Sequence, residues 1–172
     1  MSETADTIDS PYSAGSGERP TLRIRKLAYS DLPSVISIER RSFATPWSLA
    51  MFVLELSKPS GICLAVVDEE ESLVGYLVCS RYNDIWHLMN VAIDPEHRRN
   101  RIATDLIEAL FVQAGPGARY TLEVRVSNRA AISMYEGFGF RSAGLRRRYY
   151  HDNGEDALIM WFEVGERAPS LA

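Results

Sequence analysis

Three groups of residues in this 172-residue chain could do chemistry. The first is Val91-Ala-Ile-Asp-Pro-Glu-His-Arg-Arg-Asn-Arg-Ile-Ala103, where an apolar stretch passes through a short basic loop into a helical pattern. Free backbone N–H groups at a helix start, with the positive end of the helix dipole, attract phosphate. Arg98, Arg99 and Arg101 would add cations at that point, although a solvated basic turn accounts for the same residues. The second is Glu123, on the polar face of an alternating segment and flanked by Leu122 and Val124. Partial desolvation there would raise its pKa and let it accept a proton, whereas an exposed carboxylate paired with Arg125 would be inert. The third is Tyr135, seven residues after Asn128 and so on the same helical face two turns on. Its phenol can donate a proton, or simply pack against Phe138 or Phe140.

These groups need a scaffold, and the chain supplies the signals for one. Thr21–Leu27 alternates and predicts a strand. Ser30 or Asp31 can cap a following helix, with Pro33 in its first turn and Leu32, Val35, Ile36 and Ile38 on its buried side. Ser42-Phe-Ala-Thr-Pro-Trp47 breaks it, and Ser48 starts a second helix carrying Met51, Phe52, Leu54 and Leu56. Ile62–Val67 and Leu73–Cys79 flank the charged turn 68–72 as a hairpin, and Ile85–Ile93 predicts a further strand. Ile102, Ala103, Leu106, Ile107, Leu110, Phe111 and Ala114 recur at three- and four-residue spacing, a helix over 101–114. Tyr120–Val126 alternates strictly. Asn128 then caps a helix through about Glu136, with Gly137 placed to end it. Phe138–Ala143 and Ala157–Phe162 predict two closing strands around a polar loop. The order is that of a mixed α/β layer with parallel pairing around the third helix.

Charge narrows the function classes. Lys plus Arg number 19 against 23 Asp plus Glu, a net −4, and residues 1–20 hold −3 of that. The remainder is nearly neutral, and 16 of its 18 basic residues are arginine, which suits bidentate phosphate or carboxylate binding. A nucleic-acid partner is disfavoured. The apolar runs are too short for a membrane span, and residues 1–6 lack the basic and apolar parts of a signal peptide, so the cytoplasm is the expected location. Residues 1–20 read as a disordered tail and 165–172 as a C-terminal tail, on either side of a domain at 21–164. The cysteines are only Cys63 and Cys79, without CxxC spacing or a cysteine–histidine cluster, so no metal site is expected. A hairpin could bring them face to face, but in a reducing compartment they serve as small apolar core residues. Three scattered histidines build no Ser-His-Asp arrangement, and His87 reads as structural.

Arg98-Arg-Asn-Arg-Ile-Ala103 resembles the Q/R-x-x-G-x-G/A element of the Gcn5-related N-acetyltransferases. Leu122-Glu-Val-Arg-Val-Ser-Asn128, followed by Ala130-Ala-Ile-Ser-Met-Tyr-Glu-Gly-Phe-Gly-Phe140, is similar to the end of that fold. Phe43-Ala-Thr-Pro-Trp-Ser48 and Arg147-Arg-Tyr-Tyr150 look like the bacterial ribosomal-protein-alanine branch of the family. The resemblance covers residues from about 22 to 162. It implies a mixed, mostly antiparallel sheet with four helices and a parallel pair around the cofactor-binding helix. It implies acetyl transfer from acetyl-CoA directly to a protein N-terminus, a small-subunit ribosomal protein with N-terminal alanine, by a monomer or weak dimer. Glu123 would be the general base and Tyr135 the general acid. Val91, Ala92, Ile93, Arg98, Arg99, Asn100, Arg101, Ile102, Ala103, Asn128 and Tyr135 would hold the cofactor. Phe43, Trp47, Tyr149 and Tyr150 would hold the acceptor. A small-molecule amine acceptor and a non-catalytic acyl-CoA-binding module are the alternatives. One departure stands out: the family usually has glycine where this chain has Arg101. An arginine with ordinary φ/ψ would require Asn100 to absorb the turn.

Overall fold

The structure, a computed structural model, describes residues 21–163, so the expected tails at 1–20 and 165–172 lie outside the described residues. Strand β1 (Arg23–Lys26) leads into helices α1 (Leu32–Ser42) and α2 (Leu49–Leu56). Strands β2 (Ile62–Val67), β3 (Leu73–Tyr82) and β4 (Ile85–Ile93) follow, then α3 (Ile102–Ala114) and β5 (Arg119–Arg125). Helix α4 (Arg129–Phe138) precedes β6 (Arg141–Tyr150) and β7 (Glu155–Glu163). One seven-stranded sheet results, in the order β1-β2-β3-β4-β5-β7-β6. Among the described residues only β4 and β5 pair in parallel, because α3 forms the crossover between them. The expected element order and the parallel pair are both present.

Alternation along the strands divides the core into two layers. Leu64, Val66, Leu88, Tyr120, Leu122 and Val124 point to one face and pack under α3 and α4 through Leu106, Ile107, Leu110, Ile132 and Tyr135. Cys63, Ala65, Tyr76 and Val78 point to the other, under Val35 and Ile38 of α1 and Phe52 of α2. The two cysteines are therefore free, buried and on opposite faces. Among the described residues, helices α1 and α2 cover one half of their face and no helix covers the β5–β7–β6 half, where Ile159 and Trp161 stay partly exposed.

Three local expectations need correction. Gly137 lies inside α4. The helix ends instead at Gly139, whose φ of +102° supplies the left-handed C-terminal turn. Phe138 consequently belongs to the helix, and the following strand runs from 141 to 150 rather than 138 to 143. Of the apolar residues expected on α2, Phe52 is fully buried and Leu56 partly so, whereas Met51 and Leu54 are exposed; Glu55 is buried beside Phe52.

Candidate active site

The strand pair at the centre of the sheet comes apart next to Glu123. β4 and β5 pair from Ile85↔Arg119 to Leu88↔Leu122 and then diverge. β4 stays bonded to β3 beyond that point and β5 to β7, so the facing edges of both strands are left without ladder partners. A bulge marks the divergence: Asn90 pairs with Val78 and Leu88 with Cys79, leaving Met89 extra. Such a bulge re-aims the backbone and switches side-chain faces. His87 accordingly faces the α1/α2 side while Val91 and Ile93 pack against the α3 side and Ala92 against the α1 side. Backbone groups of residues 89–93 on the open edge can hydrogen-bond an extended ligand arm.

The basic loop follows directly. Asp94 accepts from Glu96 N at 3.1 Å and from both Arg41 terminal nitrogens at 3.2 and 2.8 Å, tying α1 to the loop. Burial of Asp94 opposes ionisation, but the Glu96 N–H and the Arg41 guanidinium outweigh it and hold its pKa below the usual range. Arg98 donates to Ile93 O and Ser42 Oγ, and Asn100 to His97 O. Arg99 and Arg101 both adopt positive φ, +69° and +61°, and Arg101 is the residue from which α3 starts. Asn100 therefore does not absorb the turn; the two arginines do, each at a cost of about 1–2 kcal/mol for a non-glycine residue. Ile102 is buried in the core, so only its backbone faces the loop. With the first N–H groups of α3 and the exposed side chains of Arg98, Arg99 and Arg101, these residues fit a pyrophosphate.

Glu123 is where the strand alternation predicts, its side chain 9% exposed. It is not paired with Arg125. Its Oε2 lies 2.5 Å from His87 Nε2, and its Oε1 lies 3.2 Å from an Arg146 nitrogen. The expected upward shift is reversed. The hydrogen bond to His87 outweighs desolvation, and the His87 and Arg146 charges add to it, so the carboxyl sits below its ordinary pKa. Arg125 instead serves the β6–β7 loop. It binds Asp152 at 2.8 and 2.9 Å and Glu155 at 3.2 Å, and its guanidinium lies 3.9 Å from the Tyr150 ring centroid.

Tyr135 is buried on α4, its ring 5.5 Å from that of Phe140 in an edge-to-face contact. Packing is the role the contact shows, and desolvation, reinforced by Tyr150 nearby, pushes the phenol up and keeps it protonated. Tyr149 and Tyr150 meet edge to face at 5.1 Å. Burial and then the Glu123 carboxylate raise the Tyr149 pKa, and the Arg146 guanidinium that pairs with Glu123 lies 5.7 Å from the Tyr149 ring centroid. Asn128 caps α4 by accepting from Ala131 N at 3.2 Å. Glu123, Tyr135, Tyr149 and Tyr150 thus share one electrostatic neighbourhood at the diverging strands.

Phe43 and Trp47 stand on the α1–α2 loop, Phe43 exposed and Trp47 packed 5.2 Å from Phe52. A group absent from the sequence reading holds that loop. Glu39, 1% exposed, accepts from Trp47 N at 2.8 Å, from Asn90 Nδ2 at 3.1 Å and from the Tyr76 hydroxyl. It joins the loop to β3 and to the residue after the β4 bulge. The signal was present in the sequence, since Glu39 lies four residues after Val35 on the apolar stripe of α1. His87 had a comparable signal in its alternation with Ile85. Arg146 and the Met89 bulge had none.

A profile of the acetyltransferase (GNAT) family matches residues 32–140. A Bacillus subtilis (strain 168) protein is 35% identical over 145 residues, 83% of this chain and 96% of its own, and is named provisionally as a [ribosomal protein bS18]-alanine N-acetyltransferase. The Escherichia coli (strain K12) [ribosomal protein bS18]-alanine N-acetyltransferase is 34% identical over 141 residues, 80% of this chain and 94% of its own. The crystal structure of the E. coli ribosomal-protein-S18-alanine N-acetyltransferase superposes with a TM-score of 0.77 at 31% identity, covering 88% of this chain and 99% of that one. That of Ard1 from Thermoplasma volcanium gives 0.74 at 28% identity, with 83% and 97% covered.

Proposed function

This chain belongs to the acetyltransferase (GNAT) family, and from that premise we propose that it acetylates the N-terminal α-amine of a polypeptide, with the N-terminal alanine of a small-subunit ribosomal protein as acceptor. Acetyl-CoA supplies an acyl group activated as a thioester. The first turn of α3 with Arg98, Arg99 and Arg101 holds its pyrophosphate, and the open edge of β4 at residues 89–93 orients its arm. Asn128 and Tyr135 flank that arm from α4.

The observation that carries the reading is the desolvated Glu123–His87 pair at the mouth of the diverging strands. Glu123, held charged, draws the acceptor ammonium to the site and takes its proton, directly or through one water. His87 fixes the carboxylate rotamer. The freed amine forms the new C–N bond as the C–S bond breaks; Tyr135 gives a proton to the departing sulfur, and the second proton lost from the acylated nitrogen restores the phenol. No acyl–enzyme is required. Tyr149 and Tyr150 offer hydroxyls to the acceptor backbone, and Phe43 with Trp47 bounds its first residue from the opposite loop. The reaction as proposed needs no metal, and His, Cys, Asp and Glu form no metal-holding group among the described residues.

The test is acetylation of a short peptide set read by mass spectrometry. Ala-starting peptides should be acetylated, and Glu123→Gln should lose roughly 10²-fold or more in rate while still binding acetyl-CoA. Absence of transfer to every Ala-, Ser- and Met-starting peptide would refute the assignment of a protein acceptor.

A further inference from the structure

The Glu123–His87 pair is not at the end of its cleft. A cavity of about 390 Å³ continues from it along the uncovered half of the sheet, away from the diverging strands and toward the β3–β4 turn. Ile85 and Ile159 help form its apolar floor, on β4 and β7, and Tyr82 and Trp161 stand beside them, 48% and 37% exposed. This volume lies at the lower end of the range of small-ligand sites, roughly 300–1,000 Å³. Aromatic rings left this accessible beside branched aliphatic side chains form a surface suited to an apolar side chain.

We propose that this cavity is a specificity subsite that takes a large apolar or aromatic side chain from the second or third residue of the acceptor. The inference rests on the reading of the chain as an acetyltransferase of polypeptide N-termini. Register fixes the geometry. Glu123 pairs with Ile159, Thr121 with Trp161, and Arg119, two residues further back, with both Ile85 and Glu163. The cavity floor therefore runs four residue positions from the base, about 13 Å of strand. An amine seated at Glu123 leaves the next two residues of an extended peptide, each rising about 3.3 Å, directly over that floor. A free small amine would leave this length unused. Continuity with the base commits the cavity to the acceptor itself.

Peptides Ala-X-Gly and Ala-Gly-X, extended by a common polar tail, with X as Gly, Leu or Phe, test this with the full-length protein. Wild type should prefer Phe or Leu over Gly at one of the two positions by roughly tenfold in kcat/KM, mainly through KM. Trp161→Ala and Tyr82→Ala should each reduce that ratio toward one. Because both peptides are compared on the same variant, a general loss of activity cancels. Acetylation with no dependence on X, or a preference that survives in both variants, overturns the subsite and leaves the polypeptide reading standing. No acetylation of any peptide by wild type overturns both.

Discussion

Replacing Arg101 with glycine separates backbone strain from charge at the phosphate loop. Arg101 sits at φ +61°, ψ 15°, immediately before α3. An L-residue there costs about 1–2 kcal/mol, while glycine's extra freedom in the unfolded chain costs roughly 0.5–1 kcal/mol, so Arg101→Gly should stabilise the protein by about 0.5–1 kcal/mol. For a domain of this size that raises Tm by about 1–4 °C. The first helical hydrogen bond, from Asp105 N to Arg101 O at 3.0 Å, is a backbone bond and survives the change. Arg101→Ala is the control, since alanine removes the cation but keeps the left-handed cost. Calorimetric melting of the ligand-free protein should therefore show glycine above both alanine and wild type. Titration with acetyl-CoA should show both variants losing affinity through the missing charge, with glycine losing less. Equal melting temperatures for the two variants, or glycine below alanine, would refute the claim that strain is stored at this residue.

Four further expectations follow from the same geometry. His87→Ala removes the main cause of the low Glu123 pKa, so the acid limb of the kcat/KM profile should move to higher pH; an unmoved limb would show that the pair does not set it. Tyr135→Phe should lower kcat by roughly 10²-fold with little change in acetyl-CoA affinity, measured by stopped-flow thiol release and calorimetry. Glu39→Ala strands the Trp47 N–H, the Asn90 amide and the Tyr76 hydroxyl. A loss of about 3 kcal/mol or more in urea unfolding is expected, each buried orphan costing about 1–3 kcal/mol. Asp94 has a depressed folded pKa, so its contribution is complete above the ordinary carboxylate range near pH 4 and is lost as pH falls through the folded value. Arg41→Ala should thus lower stability more at pH 7 than at pH 2.5.

What could be read from the chain depended on the range of the interaction. Element order and the parallel pair follow from periodicity, which is local; so do the places of Glu123 and Tyr135 on a strand and a helix face, whereas their roles as base and acid were implied only by the family resemblance. The end of α4 was misplaced because Gly137 and Gly139 carry the same side-chain information. Only the chain reversal into β6, with Phe140 N bonded to Tyr135 O, selects the second. The direction of the Glu123 shift was missed for a different reason. Desolvation can be inferred from Leu122 and Val124, but its outweighing needs a histidine 36 residues away and an arginine on the far strand β6. Sequence separation hides both. The Met89 bulge is a property of the β3–β4 register, and no residue type near it announces the extra position.

A base whose pKa is pushed down is poorly matched to removing a proton from an ammonium, and the mismatch bears on which amines are acceptors. An N-terminal α-amine has a pKa of about 7.7–8.0 and a lysine side chain one of about 10.4. At pH 7.5 the first is about one-third neutral, and its deprotonation costs under ~1 kcal/mol. For lysine the cost is about 4 kcal/mol, at 1.36 kcal/mol for each pKa unit. A carboxylate held ionised by His87 and Arg146 can attract a cation and accept a proton that is nearly ready to leave, but it cannot offset a deficit of that size. With Glu123 as the proposed proton acceptor, α-amines are therefore expected to react in preference to ε-amines. A peptide with a blocked N-terminus and an internal lysine should be acetylated at least ~10²-fold more slowly than its unblocked counterpart. Comparable rates for the two would mean that Glu123 is not the proton acceptor.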